Sequence, residues 1–242
     1  MAFTPQLHAD FAYKAYKVGR EKTPLLVIDN FIAHAEQLVD YCAALGKLEK
    51  IDTFYPGIRM QAPDMYVHTL YQYLGVLLEH AFDLPLNQIQ GSKALFSMVT
   101  TPPEHLSPKQ RLPHIDSFET GDLACVHYLC SPEMGGTALY RHKSTGFETI
   151  DASQIDHYNE TLIKEGALQS EDITYMHGAN KYFDQIADIG AVFNRLIIYP
   201  SNILHSGTIS PNCVLDADPR KGRLTLNTFV YRKRSRVGGA AS

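Results

Sequence analysis

The apolar positions of this chain recur at helical spacing before about residue 90 and at strand spacing after it. Leu25-Leu26-Val27-Ile28 is a short apolar run closed by Asp29-Asn30, which predicts a buried strand and a turn. Over 33–45, alanine and leucine at three- and four-residue intervals predict a helix with Gly46 as its terminator. Tyr55-Pro56-Gly57 predicts a turn. Met65, Leu70, Leu74, Leu77, Leu78 and Ala81 then mark one face of an amphipathic helix over 64–82. No element is read over 1–22, where charges and tyrosines are scattered without an apolar run.

From Ala94 the period is two. Strands are predicted over 94–100, ended by Thr101-Pro102-Pro103, then over 111–116 and 122–130. In the last of these, Val126 and Tyr128 fall on one face and Cys125, His127 and Leu129 on the other. A turn over 131–136 leads to a strand over 137–141. Residues 146–194 change character, with helical patterns over 153–168 and 181–189, and read as an insertion that covers a cavity mouth or meets a partner. Strands resume over 195–199, 204–208 and 223–231. Short strands between proline and glycine turns, preceded by helices, predict a mainly β sandwich or jelly roll with helical buttressing. One domain is expected: a helical buttress over 1–92, a β core over 93–145 and 193–231, a helical insertion over 146–192, and a tail over 232–242.

Composition narrows what such a domain does. With 242 residues, 45% of them hydrophobic, the chain can bury a large core. A net charge of −4 gives no general attraction to phosphate backbones or anionic lipid, so nucleic acid is disfavoured as a partner. The four cysteines, Cys42, Cys125, Cys130 and Cys213, have neither zinc spacing nor the density of a disulfide scaffold, and read as free thiols. No signal-length or membrane-spanning apolar run is present in the sequence, which leads to the expectation of a soluble cytoplasmic protein without a membrane partner. The oligomeric state stays open, a homodimer included.

The candidate chemistry centres on His114-Ile115-Asp116. Two positions apart on an extended segment, the imidazole and the carboxylate project to one side. A second histidine from a distant strand, His205 within Leu204-His205-Ser206-Gly207, would complete a two-histidine, one-carboxylate facial set with open positions opposite, the arrangement of non-haem Fe(II) sites. In the last strand Arg223, Thr225 and Asn227 form a polar face where a core strand seldom carries arginine without an anion. Of the other histidines, His127 reads as packed or solvated and His105 as part of a proline-rich loop, while His177, in the insertion, reads as solvated or as lining a substrate pocket. Arg59, Arg141 and His142 are candidates to contact a substrate. The basic run Arg232-Lys233-Arg234-Ser235-Arg236 reads as a solvated terminus, with residues 238–242 expected to be disordered.

Taken together, His114, Asp116, the segment from Tyr128-Leu129 to Gly135-Gly136-Thr137, His205 and Arg223-Leu224-Thr225 resemble an Fe(II)- and 2-oxoglutarate-dependent dioxygenase of the prolyl-hydroxylase-like kind, over about residues 94–231. The first ninety residues, Tyr55-Pro56-Gly57-Ile58-Arg59 among them, are similar to a bacterial branch of that superfamily. The resemblance implies a double-stranded β-helix, a cupin-like jelly roll. It implies iron on His114, Asp116 and His205, and 2-oxoglutarate bound by Arg223 with help from Tyr128 and Thr225. With O2 as the further co-substrate, an amino acid, peptide or small metabolite would be hydroxylated and 2-oxoglutarate decarboxylated to succinate. The gap between His205 and Arg223 is longer than usual in the family, which leaves Arg220 and Lys221 as rivals for the anion. Two other functions fit the same residues: a cupin-like metal-binding or sensor protein without redox turnover, and a zinc hydrolase.

Overall fold

The computed structural model describes residues 5–51, 54–169, 174–211 and 213–234. Ten strands and three helices follow one another as β1 Ala12–Val18, β2 Thr23–Asp29, α1 Glu36–Leu45, β3 Gly57–Gln61, α2 Asp64–Phe82, β4 Ile89–Val99, β5 Leu123–Tyr128, β6 Gly135–His142, α3 Ile155–Lys164, β7 Phe183–Gly190, β8 Leu196–Pro200, β9 His205–Ile209 and β10 Leu224–Arg232. They form a seven-stranded sheet ordered β1-β2-β8-β5-β10-β4-β3 and a three-stranded sheet ordered β7-β6-β9, antiparallel throughout. His114 adds a single antiparallel bridge on the free side of β9. The chain therefore passes from one sheet to the other and back between β4 and β10, with β4-β10-β5-β8 on one side and His114-β9-β6-β7 on the other, the winding of a double-stranded β-helix.

The large sheet has two different faces. Its outer face carries Leu226, Phe96, Met98 and Cys125 against the buried sides of α1 and α2. In α2 the buried residues are Tyr66, Thr69, Leu70, Leu74 and Leu78, so the predicted face is right at Leu70, Leu74 and Leu78, while Leu77 and Ala81 are half-buried at its flank and Met65 is exposed. Helix α1 ends where Gly46 takes a left-handed conformation, φ 57°, that glycine adopts at no steric cost. The inner face turns Ala124, Val126 and Tyr128 toward the small sheet, so β5 divides its side chains as the alternation predicts. All four cysteines are free thiols, as expected.

Several expectations are corrected. Residues 1–92 are not only a helical buttress: β1, β2 and β3 extend the large sheet at both edges. Strand β1, with Lys14 and Lys17 on an exposed edge, buries almost nothing and so leaves no apolar pattern to read. The second helical pattern of the insertion is strand β7. Its register against β6 shifts between Leu139 and Tyr140, which face Ala187 and Gln185 and leave Ile186 as a bulge. That extra residue turns a two-residue period into the three-residue spacing Phe183, Ile186, Ile189, which imitates a helix. Helix α3 does occupy part of the first pattern. Residues 111–116 are no strand either; a 3-10 turn, Pro108–Arg111, precedes the lone bridge at His114. The tail is not simply solvated, since Arg234 forks onto the buried carboxylate of Asp122 at 3.1 and 3.0 Å. Ser235, Arg236 and 238–242 lie outside the described residues. Among the described residues no helix is long and apolar enough to cross a membrane.

Candidate metal centre and its cavity

The sheets enclose a cavity of about 390 Å³, and the three predicted ligands meet on its wall. Their convergence is built from backbone. His114 and His205 exchange N–H···O bonds of 2.9 Å in both directions, and the Asp116 amide donates to the Ser201 carbonyl at 2.8 Å. The imidazoles come to lie 4.4 Å apart between ring centres. Asp116 Oδ2 is 3.3 Å from His205 Nε2, and Oδ1 is 3.9 Å from His114 Nε2. All three ligand atoms lie within 4.8 Å of one another. Neighbouring ligand atoms around an octahedral ion at about 2.1 Å are roughly 3 Å apart, so a small contraction would seat a divalent metal.

Hydrogen bonds orient the rings for the same use. His205 Nδ1 donates to the Ile203 carbonyl at 2.9 Å, which directs Nε2 at Asp116 and reserves that nitrogen for a metal once its proton is displaced. Desolvation and the adjacent His205 ring lower the pKa of His114 to about 4. Because 54% of the His114 side chain is exposed, desolvation is the weaker of these two causes and the neighbouring ring the firmer one. Burial works to raise Asp116, but His205 and His114 outweigh it and hold the carboxyl below its ordinary value. Burial likewise opposes charge on His205, while Asp116 raises it above the usual imidazole value. A carboxylate beside two imidazoles is a donor set for a transition metal, which would displace the proton that His205 shares with Asp116.

Away from the ligands, Arg223 forms part of the cavity wall with only 4% of its surface exposed. One of its Nη2 hydrogens goes to the Gly136 carbonyl at 2.7 Å, and its guanidinium lies 5.9 Å over the Tyr128 ring. Its Nε has no partner, and among the described residues it pairs with no carboxylate. The glycine pair makes this contact available. Gly135 has φ 93°, and a Cβ there would sit 1.8 Å from the Thr208 carbonyl oxygen, so only glycine lets β6 approach β9 closely. A buried guanidinium with no counter-ion is costly, and an anion in the cavity would relieve it. Arg220 and Lys221 do not line this cavity: Arg220 pairs with Asp40 at 2.9 Å and Lys221 with Asp218 at 3.5 Å, both in the open.

Thr225 is buried, lines the cavity and donates to the Ser97 carbonyl at 3.3 Å. Tyr128 stands one layer back: fully buried, it donates its hydroxyl to Thr137 Oγ1 at 2.7 Å, and Thr137 is the residue that lines the cavity. Burial pushes the Tyr128 phenol up to about 12, so it stays protonated. Of the substrate candidates, Arg59 reaches the cavity, stacked 4.0 Å over the Tyr55 ring. Arg141 and His142 do not. Arg141 is held by Glu148 at 3.1 Å and Asp184 at 3.5 Å, and the fully buried His142 lies between Thr145 and Glu165 at 2.9 Å from each. Their position at the end of β6 suggests a pocket, but local ion pairs occupy them. Sequence reasoning missed Tyr199, which packs 5.0 Å from the His205 ring, and Tyr55 and Tyr175 on the cavity wall. Tyr199 follows Leu196, Ile197 and Ile198 in the apolar run of β8, and that signal is present in the sequence.

The decisive comparison is with a family rather than a single protein. This chain belongs to the family described as "Family of unknown function (DUF6445)", which matches residues 9–230. No curated protein matches it. Among solved structures it is similar in shape to HygX from Streptomyces hygroscopicus with nickel, 2-oxoglutarate and hygromycin B bound, at 13% identity and TM-score 0.48, covering 88% of this chain and 84% of the other. A prolyl-4-hydroxylase from Pseudomonas putida gives 14% identity and TM-score 0.42 with 94% of each chain covered. AviO1 from Streptomyces viridochromogenes Tue57 gives 10% identity and TM-score 0.45, covering 97% and 94%. The site of this DUF6445 chain stands on its own geometry.

Proposed function

We propose that this DUF6445 protein is an Fe(II)- and 2-oxoglutarate-dependent oxygenase that hydroxylates an amino acid, peptide or other small metabolite. One observation carries the reading: the His114, Asp116 and His205 donors share a cavity with Arg223, a buried cation that no acidic side chain of the described protein neutralises. His114 and His205 would offer neutral imidazole nitrogens and Asp116 one carboxylate oxygen to the metal, on one side of it. Iron, with 2-oxoglutarate and O2, supplies the oxidising chemistry when bound, and 2-oxoglutarate leaves as succinate.

The chain's own contribution is positional. Arg223 offers two-pronged recognition to the far carboxylate of 2-oxoglutarate, and Gly136 fixes the guanidinium while Thr225 gives the anion a polar neighbour. Thr137, oriented by Tyr128, supports the same corner. Apolar wall residues, Val99 and Ile209 among them, limit water around the reacting centre.

Protein purified anaerobically and supplied with Fe(II) should convert 2-oxoglutarate to succinate with uptake of O2, and Asp116→Ala should end that conversion. A protein that binds Fe(II) tightly yet consumes no 2-oxoglutarate, alone or with any amino acid or peptide offered, would be a metal-binding module and the proposal would be wrong. Hydrolysis supported by Zn(II) in air and indifferent to 2-oxoglutarate would point to a hydrolase.

A further inference from the structure

The cavity contains a second cation that the reaction scheme above does not use. Arg59, on β3, pairs across the sheet with Ser97, and Ser97 pairs with Thr225, so all three point to one face. Two strand spacings, roughly 10 Å, separate the Arg59 and Thr225 backbones. Arg59 is thus on the same wall as the co-substrate corner but displaced toward the β3 edge. Its guanidinium lies over the Tyr55 ring at 4.0 Å, its Nε is enclosed without a hydrogen-bond partner, and among the described residues it forms no ion pair.

Charge accounting makes this cation significant. Among the described residues, Asp116 is the single carboxylate on the cavity wall, beside the cations Arg59, Arg223 and, at the rim, Lys109. A divalent metal, Asp116, Arg223 and a doubly charged 2-oxoglutarate together sum to neutrality, which leaves Arg59 and the exposed Lys109 at the rim without a carboxylate among the described wall residues. Asn227 adds a second unmet group: its Oδ1 is enclosed in the same wall and accepts no hydrogen bond. It sits on β10 on the same face as Thr225, with Phe229 next along that face.

We infer that the molecule to be oxidised is a small carboxylic acid of amino-acid type, its carboxylate held by Arg59 and an N–H of it donated to Asn227. This inference rests on the oxygenase reading only for the occupancy of Arg223. The planar fork of Arg59 suits a carboxylate, stacking on Tyr55 pre-orients it, and neither group has another role among the described residues. A neutral substrate could still donate to Asn227 but would leave the Arg59 cation without a carboxylate, so discrimination between acid and amide falls on Arg59.

The test is binding. Zn(II)-loaded protein, with and without saturating 2-oxoglutarate, is titrated calorimetrically with a panel of the twenty common amino acids, their N-acetyl derivatives and the corresponding N-acetyl amides. At least one free carboxylate should bind at least tenfold more tightly than its amide. Arg59→Gln should lose that binding tenfold or more while keeping 2-oxoglutarate affinity, which also shows that the variant is folded, and Arg59→Lys should fall between. Arg223→Gln should do the reverse. Should no carboxylate of the panel bind, should amides bind as well as acids, or should Arg59→Gln weaken 2-oxoglutarate and spare the panel, the assignment is wrong. Failure of 2-oxoglutarate to bind wild-type protein would count against the Arg223 reading alone, since the panel without it still reports on Arg59.

Discussion

Strands β5 and β10 present polar groups to both faces of the large sheet, and the two faces treat them in opposite ways. On the outer face, His127 is fully buried, yet both ring nitrogens are used: Nε2 donates to Asn194 Oδ1 at 3.0 Å, and Nδ1 accepts from the Tyr66 hydroxyl at 3.0 Å. Asn194 also clamps both backbone groups of Ile32. On the inner face, Arg223 and Asn227 keep enclosed atoms without partners. Thr228 is the outer face's exception, with one unpaired hydroxyl. Burial alone therefore does not mark a functional residue. Burial with the hydrogen-bonding account closed marks architecture, and burial with a charged account left open marks a place for a ligand.

Breaking the inner site should give the largest effects. Asp116→Ala removes the one anionic donor, and Fe(II) affinity should fall by more than about 100-fold, beyond what loss of an outer-shell partner produces, with activity lost. Titration of apo-protein with Fe(II) under argon measures this; undiminished affinity would mean that the three side chains do not form the metal site. Next comes Arg223→Met. The swap should weaken 2-oxoglutarate binding by about 100-fold, or about 3 kcal/mol for charged hydrogen bonds lost, while leaving thermal stability unchanged or higher. A variant that unfolds instead would place Arg223 on the architectural side of the comparison.

How much of this could be read from the sequence follows the same division. The triad was legible because its ligands fall in a recognisable order, and Arg223 because an arginine in the inward register of a strand is chemically odd. The strand expected at 111–116 failed because one backbone bridge, and no ladder, holds His114 beside His205. Strand β7 was unreadable because of the bulge at Ile186, and β1 because an exposed edge needs no apolar face. Arg141 and His142 were misread as substrate contacts for another reason: their partners Glu148, Asp184 and Glu165 come from segments whose approach no local pattern announces.

Breaking the outer network should cost stability and leave chemistry intact. His127→Ala leaves the Tyr66 hydroxyl and Asn194 without their shared partner and should lower stability by about 3 kcal/mol, from cavity and unmet hydrogen bonds together. Denaturant unfolding monitors this, with 2-oxoglutarate affinity unchanged as the control. The same residue gives a pH signature. Burial lowers the His127 pKa to about 4 from an ordinary value of 6.5, so the unfolded chain binds the extra proton first. The stability that neutral His127 contributes is complete above about pH 6.5 and is lost as pH falls toward 4, by up to about 3 kcal/mol. His127→Gln, which cannot titrate, should flatten that stretch of the stability curve. An unaltered slope would assign the acid sensitivity to other groups.

The smallest effect is expected where the sequence alone left a choice. Arg220 is a cation close in the chain to Arg223, but its guanidinium pairs with Asp40 in a bridge whose two side chains are more than half exposed. An exposed pair of this kind contributes roughly 0–1 kcal/mol, and salt weakens it further. Arg220→Ala should therefore change stability by less than about 1 kcal/mol and leave 2-oxoglutarate binding as it was, with the small loss disappearing at high ionic strength. Parallel titrations of Arg220→Ala and Arg223→Met separate the two arginines. If the exposed one turned out to govern the affinity, an unmet buried charge would no longer be the sign of a ligand here, and the contrast between the two faces of β10 would lose its functional meaning.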